Sequence, residues 1–148
     1  MSEWQAIIPL APLATPRPQF RHVTSGSKSK TITYYPAKYT EYMNDVQTFL
    51  TDHHLYNDTF EQVIHAPFGI LAEIAFYLPV PKNQKDVKQL MRKTAPDIDN
   101  LQKAIFDSIF KDLKVRDSRI VGVSAIKMNE KNYPRTEIKL IGIEDHER

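Results

Sequence analysis

Residues 68–81 read FGILAEIAFYLPVP, and this stretch indicates the fold class of the chain. Every second residue over positions 68–78 is apolar, a pattern typical of a β-strand with one buried face. The prolines that follow end the pattern, because proline cannot donate a hydrogen bond to a neighbouring strand. We therefore predict a half-buried strand over residues 68–78.

Segments on both sides of this strand complete a mixed α/β pattern. Three of them have strand composition: residues 4–13, 120–128 and 136–143. Helical spacing of apolar residues predicts one helix over residues 36–55 and a second that opens at residues 96–100. Residues 21–33 are rich in serine and lysine and are predicted to form a flexible basic loop.

The chain has 148 residues, of which 41% are hydrophobic, so we expect a single domain over residues 1–148. The strands do not alternate regularly with the helices. This order predicts an α/β (α+β) domain with a mixed sheet of about four strands, packed by two main helices.

The sequence has no cysteine, which excludes disulfides and thiolate metal sites. It also lacks a membrane-length apolar run and a signal-peptide pattern, so we expect a cytoplasmic protein without a membrane partner.

Two basic stretches flank an acidic cluster. Residues 16–40 carry five Lys or Arg residues and no acid, and residues 79–95 carry five against one acid. A single basic run is most often a solvated loop, but two runs beside clustered carboxylates favour an anionic polymer as partner. The candidate DNA-binding side chains are Arg17, Arg21, Lys82, Lys85, Lys88, Arg92 and Lys93.

The acidic cluster begins with Asp97 and Asp99 at the predicted start of the second helix. Such residues are commonly helix caps, although one cap needs only one of them. The segment after the helix reaches about 23 Å when extended, and the helix is about 18 Å long, so Asp117 can return to the end that holds Asp99. Three convergent carboxylates would suit a hard cation such as Mg²⁺. The cap and the metal site both stay open at this point.

Lys103 follows Asp99 by one helical turn, and Asp107 follows Lys103 by another. This spacing alone favours a surface ladder of ion pairs, each stabilising by a few tenths of a kcal/mol. The alternative is that the Lys103 ammonium stabilises negative charge that develops on a bound phosphate.

The same residues match a known family. Residues 96–107 read PDIDNLQKAIFD and residues 117–120 read DSRI, and together they closely resemble the RusA-type Holliday junction resolvases, which are small endodeoxyribonucleases often encoded by phages or prophages. Weaker matches span most of the chain: residues 15–20, residues 33–38, residues 76–82, Lys127, Tyr133 and residues 136–138.

The resemblance implies a homodimer that cuts four-way DNA junctions symmetrically with Mg²⁺ or Mn²⁺. It implies metal-binding roles for Asp97, Asp99 and Asp117, and a supporting catalytic role for Lys103. The chain departs from the family pattern at three places: Arg116 stands where the family has a preceding aspartate, residues 107–111 read DSIFK where it has DALNG, and Gln19 replaces an arginine.

We therefore predict a metal-dependent endonuclease that resolves Holliday junctions in DNA recombination and repair, in a bacterial or phage context. Two alternatives stay open. In one, the chain is a non-catalytic nucleic-acid-binding module in which Asp97 and Asp99 are caps. In the other, it is a nuclease that acts on other branched DNA.

Overall fold

The computed structural model of the chain describes residues 1–84 and 88–145, and the side chain of Asp117 lies outside the described part. In these ranges the regular elements, in chain order, are β1 (Ser2–Ile8), β2 (Gln19–Ser25), β3 (Lys28–Tyr34), α1 (Ala37–Asp52), α2 (Asp58–Ile64), β4 (Ile70–Pro79), α3 (Ile98–Phe110), a 3₁₀ helix (Asp117–Arg119), β5 (Ile120–Glu130) and β6 (Arg135–Gly142). None of the described helices is long and apolar enough to cross a membrane.

The main sheet has four strands in the order β1-β6-β4-β5. β6 pairs antiparallel with both β1 and β4, whereas β4 and β5 are parallel. Parallel neighbours need a crossover connection, and α3 lies in the segment that makes it. As a result α3 begins near the carboxyl end of β4 and returns toward the end where β5 starts.

One face of the sheet is buried under the helices. Alternate residues of β4 are buried from Ile70 to Leu78, as the apolar alternation predicts. The core is completed by residues on one stripe of each helix: Val46 and Leu50 of α1, Phe60 and Val63 of α2, and Leu101, Ile105 and Ile109 of α3. Full burial of such a side chain is worth about 1.5–3 kcal/mol, so these contacts hold α3 and its first turn against the sheet.

The structure confirms the predicted mixed α/β fold with a four-stranded sheet, and α1 and α3 are the two predicted helices. It adds α2, which is only seven residues long and offers too little periodicity to be recognised. The first strand ends at Ile8 instead of residue 13.

The prediction of a flexible loop over residues 21–33 is wrong. This segment forms most of a two-stranded antiparallel hairpin, β2–β3, which belongs to a separate sheet. Its two-residue turn has Gly26 at φ 63°, the left-handed conformation that tight hairpin turns need at this position. The apolar alternation is missing because every residue of the hairpin strands is exposed except the half-buried Val23.

Candidate active site

Asp97 is the N-cap residue of α3 but does not cap it with its side chain. Its backbone is extended (φ −68°, ψ 139°), and the carboxylate makes no capping hydrogen bond within the described chain. Its main-chain oxygen accepts from the Leu101 N–H at 3.2 Å, so the residue starts the helix through its backbone. The cap alternative therefore lacks its defining contact at Asp97, whose side chain is exposed to solvent.

Asp99 lies in the first turn of α3 and is also exposed. Its Oδ1 accepts a hydrogen bond from the Asn100 N–H at 3.0 Å. This contact satisfies one of the N–H groups that a helix start leaves unpaired. Asp99 therefore has a local role in the helix start, and it places a second negative charge beside Asp97.

Lys103 is exposed on α3, and its ammonium forms no ion pair with the side chains that the structure describes. The described ion pairs include none between Lys103 and Asp107, and Asp107 Oδ2 accepts a hydrogen bond from the Tyr39 hydroxyl at 3.3 Å. Burial raises the pKa of Tyr39, with the Thr15 hydrogen bond opposing and the Asp107 charge adding to the shift. The phenol therefore stays protonated and donates to Asp107.

The N-terminal segment is fastened to the first turn of α3. The Thr15 N–H donates to the Asn100 carbonyl at 3.0 Å, and the Thr15 hydroxyl lies 3.2 Å from the Tyr39 hydroxyl. Arg17 follows two residues later and is exposed. Two extended residues span at most about 7 Å, so Arg17 is held in the neighbourhood of Asp97 and Asp99.

Lys127 of β5 holds the segment that leads into Asp97. Its Nζ donates to the carbonyls of Thr94 and Pro96, each at 2.8 Å. These carbonyls lie on both sides of Ala95, and the peptide bond between Ala95 and Pro96 is cis. The backbone directly before Asp97 is therefore attached to the sheet by one ammonium group.

The guanidinium of Arg92 also forms hydrogen bonds with other residues of the chain. Its Nε donates to Thr94 Oγ1 at 3.0 Å and to the Ala95 carbonyl at 3.2 Å. Its Nη1 donates to the Pro79 carbonyl and to Asn129 Oδ1, both at 3.2 Å. This guanidinium joins the ends of β4 and β5 to the segment before Asp97, a structural role that the prediction of a DNA contact did not include.

The remaining candidate DNA-binding residues are placed differently. Lys82, Lys88 and Lys93 are exposed in the connection between β4 and α3, and Arg21 is exposed on β2. Lys85 lies outside the described residues.

Arg92 and its neighbour Lys93 offer a matched test of these roles. We expect Arg92→Met to lower the free energy of unfolding by about 1.5–3 kcal/mol, because it removes four hydrogen bonds from one charged donor, of which the bond to Asn129 is partly buried. We expect Lys93→Met to leave stability unchanged and to lower the log–log salt dependence of DNA binding by about one unit. Denaturant titration and binding at several salt concentrations measure both effects. A fully stable Arg92→Met protein would contradict the structural role.

Asp117 is placed far from Asp97 within one chain. It begins the 3₁₀ helix before β5, whereas Lys127, which contacts Pro96, lies seven residues along that strand from Ile120. Seven strand residues span about 23 Å. α3 runs back along the sheet in the same direction, and its thirteen residues span about 20 Å from the Asp97 end to Phe110. The backbone of Asp117 therefore lies about one helix length from that of Asp97 within one chain.

Arg119 fixes the position of this 3₁₀ helix. Its Nε donates to the Ile64 carbonyl at 2.9 Å, and its Nη2 donates to the Ala66 carbonyl. Arg119 thereby ties the backbone of Asp117 to the carboxyl end of α2, at the opposite end of the sheet from Asp97. Within the described part of the chain, no three metal-ligating side chains form a cluster.

The positioning role of Lys127 was not predicted, because the signal for it lies in the strand register of the structure. Lys127 pairs with Phe76 in the register of β4 and β5, so it lies on the face of the sheet that the helices cover. A lysine on that face requires acceptors for its ammonium, because a buried charge without partners is costly.

The fold and the site together define a small mixed α/β protein with paired carboxylates at a helix start and cationic segments around it. The family model "Endodeoxyribonuclease RusA" matches residues 9–141 of the 148-residue chain. The chain belongs to the RusA endodeoxyribonuclease family. Its class is therefore that of DNA hydrolases, and the family acts on branched DNA as Holliday junction resolvases. A comparison with curated proteins gives no match.

Proposed function

We propose that this protein is a Mg²⁺-dependent endonuclease that resolves four-way DNA junctions by paired, symmetric cuts during recombination and repair. The observation that carries the proposal is the Asp97 carboxylate, which stands exposed at the start of α3, without a capping bond in the described chain, beside Asp99. A helix cap would use that carboxylate, whereas a metal ligand must leave it accessible.

The donor groups at this site fit a hard divalent cation. Carboxylate oxygens are preferred by Mg²⁺ and by Mn²⁺, and the site offers no thiolate that would favour a softer metal. We assign Asp97, Asp99 and Asp117 as the ligands. A bound divalent cation supplies charge neutralisation at the scissile phosphate and activation of a water molecule.

Basic side chains of this chain bind the DNA phosphates and stabilise the charge that develops on them. The Lys103 ammonium has no described ion-pair partner, so it can approach a phosphate and stabilise the negative charge that develops on its oxygens. Arg17 is held near the first turn of α3 and can bind a flanking phosphate. The exposed lysines between β4 and α3 extend this cationic surface.

Within one chain the backbones of Asp97 and Asp117 are separated by about the length of α3, and this separation favours a site that two chains share. In a two-fold homodimer, Asp117 of one protomer can stand beside Asp97 and Asp99 of its partner, and the symmetry produces two equivalent sites. Two sites related by a two-fold axis also match the two symmetric cuts that a four-way junction requires. We therefore propose that the homodimer is needed for metal binding as well as for pairing the cuts.

The direct test incubates the protein with a labelled four-way junction and with linear duplex, in Mg²⁺ and in EDTA. Paired cuts in the junction, in Mg²⁺ only, support the proposal. Binding without cleavage in Mg²⁺ and in Mn²⁺ would instead support a non-catalytic binding module. Cleavage of flaps or forks in preference to the junction would point to a nuclease for other branched DNA.

Removal of one carboxylate should strengthen DNA binding when no metal is present. The carboxylates repel the phosphate that must lie between them, and two unit charges about 4 Å apart in water repel by about 1 kcal/mol. We therefore expect Asp99→Asn to bind junction DNA about fivefold more tightly in EDTA.

Titration of the wild type and the variant against junction DNA measures this effect, and Glu41→Gln on α1 serves as a control with the same charge change. Addition of Mg²⁺ should tighten binding of the wild type more than that of Asp99→Asn. Equal or weaker binding by the variant in EDTA would mean that Asp99 serves the helix start alone.

A further inference from the structure

The β2–β3 hairpin has exposed surface that the core does not use. All residues of both strands are exposed except the half-buried Val23, and Phe20 reaches 67% exposure. The two strands form a sheet of their own. An isolated two-stranded hairpin is at best marginally stable in water, so a partner that binds it would stabilise it substantially.

The pairing register separates the hairpin into two chemically different faces. Arg21 pairs with Ile32, Val23 with Lys30, and Ser25 with Lys28. Because side chains alternate across a strand, all three cations lie on one face. The opposite face contains Phe20, His22, Thr24, Ser29, Thr31 and Thr33. It has a hydrogen bond between Thr31 Oγ1 and His22 Nδ1 at 3.2 Å and no lysine, arginine or acid.

The size of the hairpin suits duplex DNA. Seven residues in each strand extend it over about 24 Å, which corresponds to about seven base pairs. The major groove is about 12 Å wide and admits a two-stranded β-ribbon. Three cations without an acid on the same face complement the phosphates that border the groove.

The base of the hairpin lies beside the candidate site. Thr15, which is bonded to the Asn100 carbonyl, precedes Gln19 by four residues, a reach of at most about 14 Å. At the other strand, Tyr34 leads into α1, whose Tyr39 contacts Asp107 on α3. DNA that reaches Asp97 and Asp99 therefore has a flanking duplex within reach of the hairpin.

We propose that the β2–β3 hairpin is a DNA-binding arm that lies in the major groove of the duplex next to the cleavage site, with Arg21, Lys28 and Lys30 facing the phosphates. This inference rests on the proposed function, since it takes branched DNA as the ligand. It adds the element, the face and the groove that bind the duplex arm.

A variant that moves the lysine charges to the other face of the hairpin, without changing the net charge, tests whether the cationic face binds the DNA. The exchange Lys28→Ser, Ser29→Lys, Lys30→Thr and Thr31→Lys keeps the composition and the net charge but transfers both lysines to the opposite face. A second variant, Arg21→Gln with Lys28→Gln and Lys30→Gln, removes the charges. Both are compared with the parent in an Asp97→Asn background, with four-way junction DNA in EDTA at several salt concentrations.

We expect the exchange variant to lose about two units of the log–log salt slope and at least tenfold in affinity, because two phosphate contacts are lost. The neutral variant should lose about three units. Dimethyl sulfate should find guanine N7 atoms, which lie in the major groove, protected in the parent complex and reactive in the exchange variant.

Several outcomes would overturn the inference. Wild-type affinity and slope in the exchange variant would show that the cations act only through net charge. Absence of N7 protection in the parent would exclude the major groove. A change of oligomeric state in either variant, measured by sedimentation, would assign the hairpin to contacts between copies of the chain.

Two controls keep the test decisive. If the two strands of a variant hairpin no longer pair, a third variant replaces residues 20–33 by a short Gly-Ser linker. This variant should lose the same part of the log–log salt slope of DNA binding, and an unchanged slope in it would also overturn the inference. Cleavage of the junction by the otherwise wild-type chain tests the proposed function separately. If the wild-type chain cuts junctions and the exchange variant binds DNA as the parent does, the DNA-binding role of the hairpin is refuted and the proposed function is not.

Discussion

An equimolar mixture of Asp97→Asn and Asp117→Asn chains should nick a four-way junction, although each variant alone is inactive. Each single variant should lose activity by at least about a hundredfold, because every site lacks one carboxylate. In a mixed dimer with shared sites, one site combines both substitutions and the other retains all its carboxylates. Random exchange should leave about a quarter of the wild-type sites intact.

The product of the mixture is as informative as its rate. A mixed dimer has one intact site, so it should leave single nicks instead of paired cuts, and denaturing and native gels separate these products. The matched control is a mixture of Asp97→Asn and Asp99→Asn. In each shared site, Asp97 and Asp99 come from the same chain, so every site in this mixture lacks one of them and the mixture should stay inactive. A mixture of Asp97→Asn and Asp117→Asn that stays inactive would place all ligands in one chain.

The single variants have their own readout. Asp97→Asn should melt within about 1 °C of the wild type, because Asp97 is exposed and makes no capping bond in the described chain, and surface substitutions usually change stability little. Full activity of Asp117→Asn would transfer the third ligand to another acid, with Asp112 the nearest in sequence.

Substitution of Lys127 by methionine should reduce cleavage about a hundredfold, although this side chain need not touch DNA. Lys127 holds the carbonyls of Thr94 and Pro96, so its loss releases the backbone directly before Asp97. A displacement of about 1 Å in a reacting group can cost about a hundredfold in rate. The loss should appear as a higher Mg²⁺ concentration for half-maximal activity and a lower maximal rate.

DNA binding in EDTA distinguishes positioning from general destabilisation. We expect the affinity of Lys127→Met for junction DNA in EDTA to stay within twofold of the wild type, and Lys127→Arg to recover part of the activity, since guanidinium also donates to carbonyls. Lys139→Met, on β6, is the control, because Lys139 contacts Glu73 at 3.7 Å on the open face of the sheet. Unchanged Mg²⁺ dependence of Lys127→Met would refute the positioning role.

The sequence alone predicted the parts of the fold in which local pattern and burial agree. The strand over residues 68–78 and the helix that begins at Asp97 and Asp99 were recognisable, because one face of each is buried and leaves a periodic apolar signal. The hairpin at residues 19–34 was not recognisable, because both of its faces are exposed and no burial imposes alternation.

The candidate site divides in the same way. Residue types and spacing predicted Asp97 and Asp99 as candidate ligands, and the family resemblance added the role of Lys103; all three lie within two turns of one helix. Which cations stay free to bind DNA depended on tertiary contacts, since Arg92 finds acceptors at Pro79 and Asn129, which are distant in sequence, as well as at the nearby Ala95.

The separation of Asp117 from Asp97 was decided by the tertiary structure alone. The length of the connection sets only an upper limit on their distance, and that limit permits contact. The parallel pairing of β4 with β5 then requires α3 to run back along the sheet, which places the start of β5 one helix length away from Asp97. Sequence determined which carboxylates are present, and the direction of one crossover helix determined how far apart the backbones of Asp97 and Asp117 lie in a single chain.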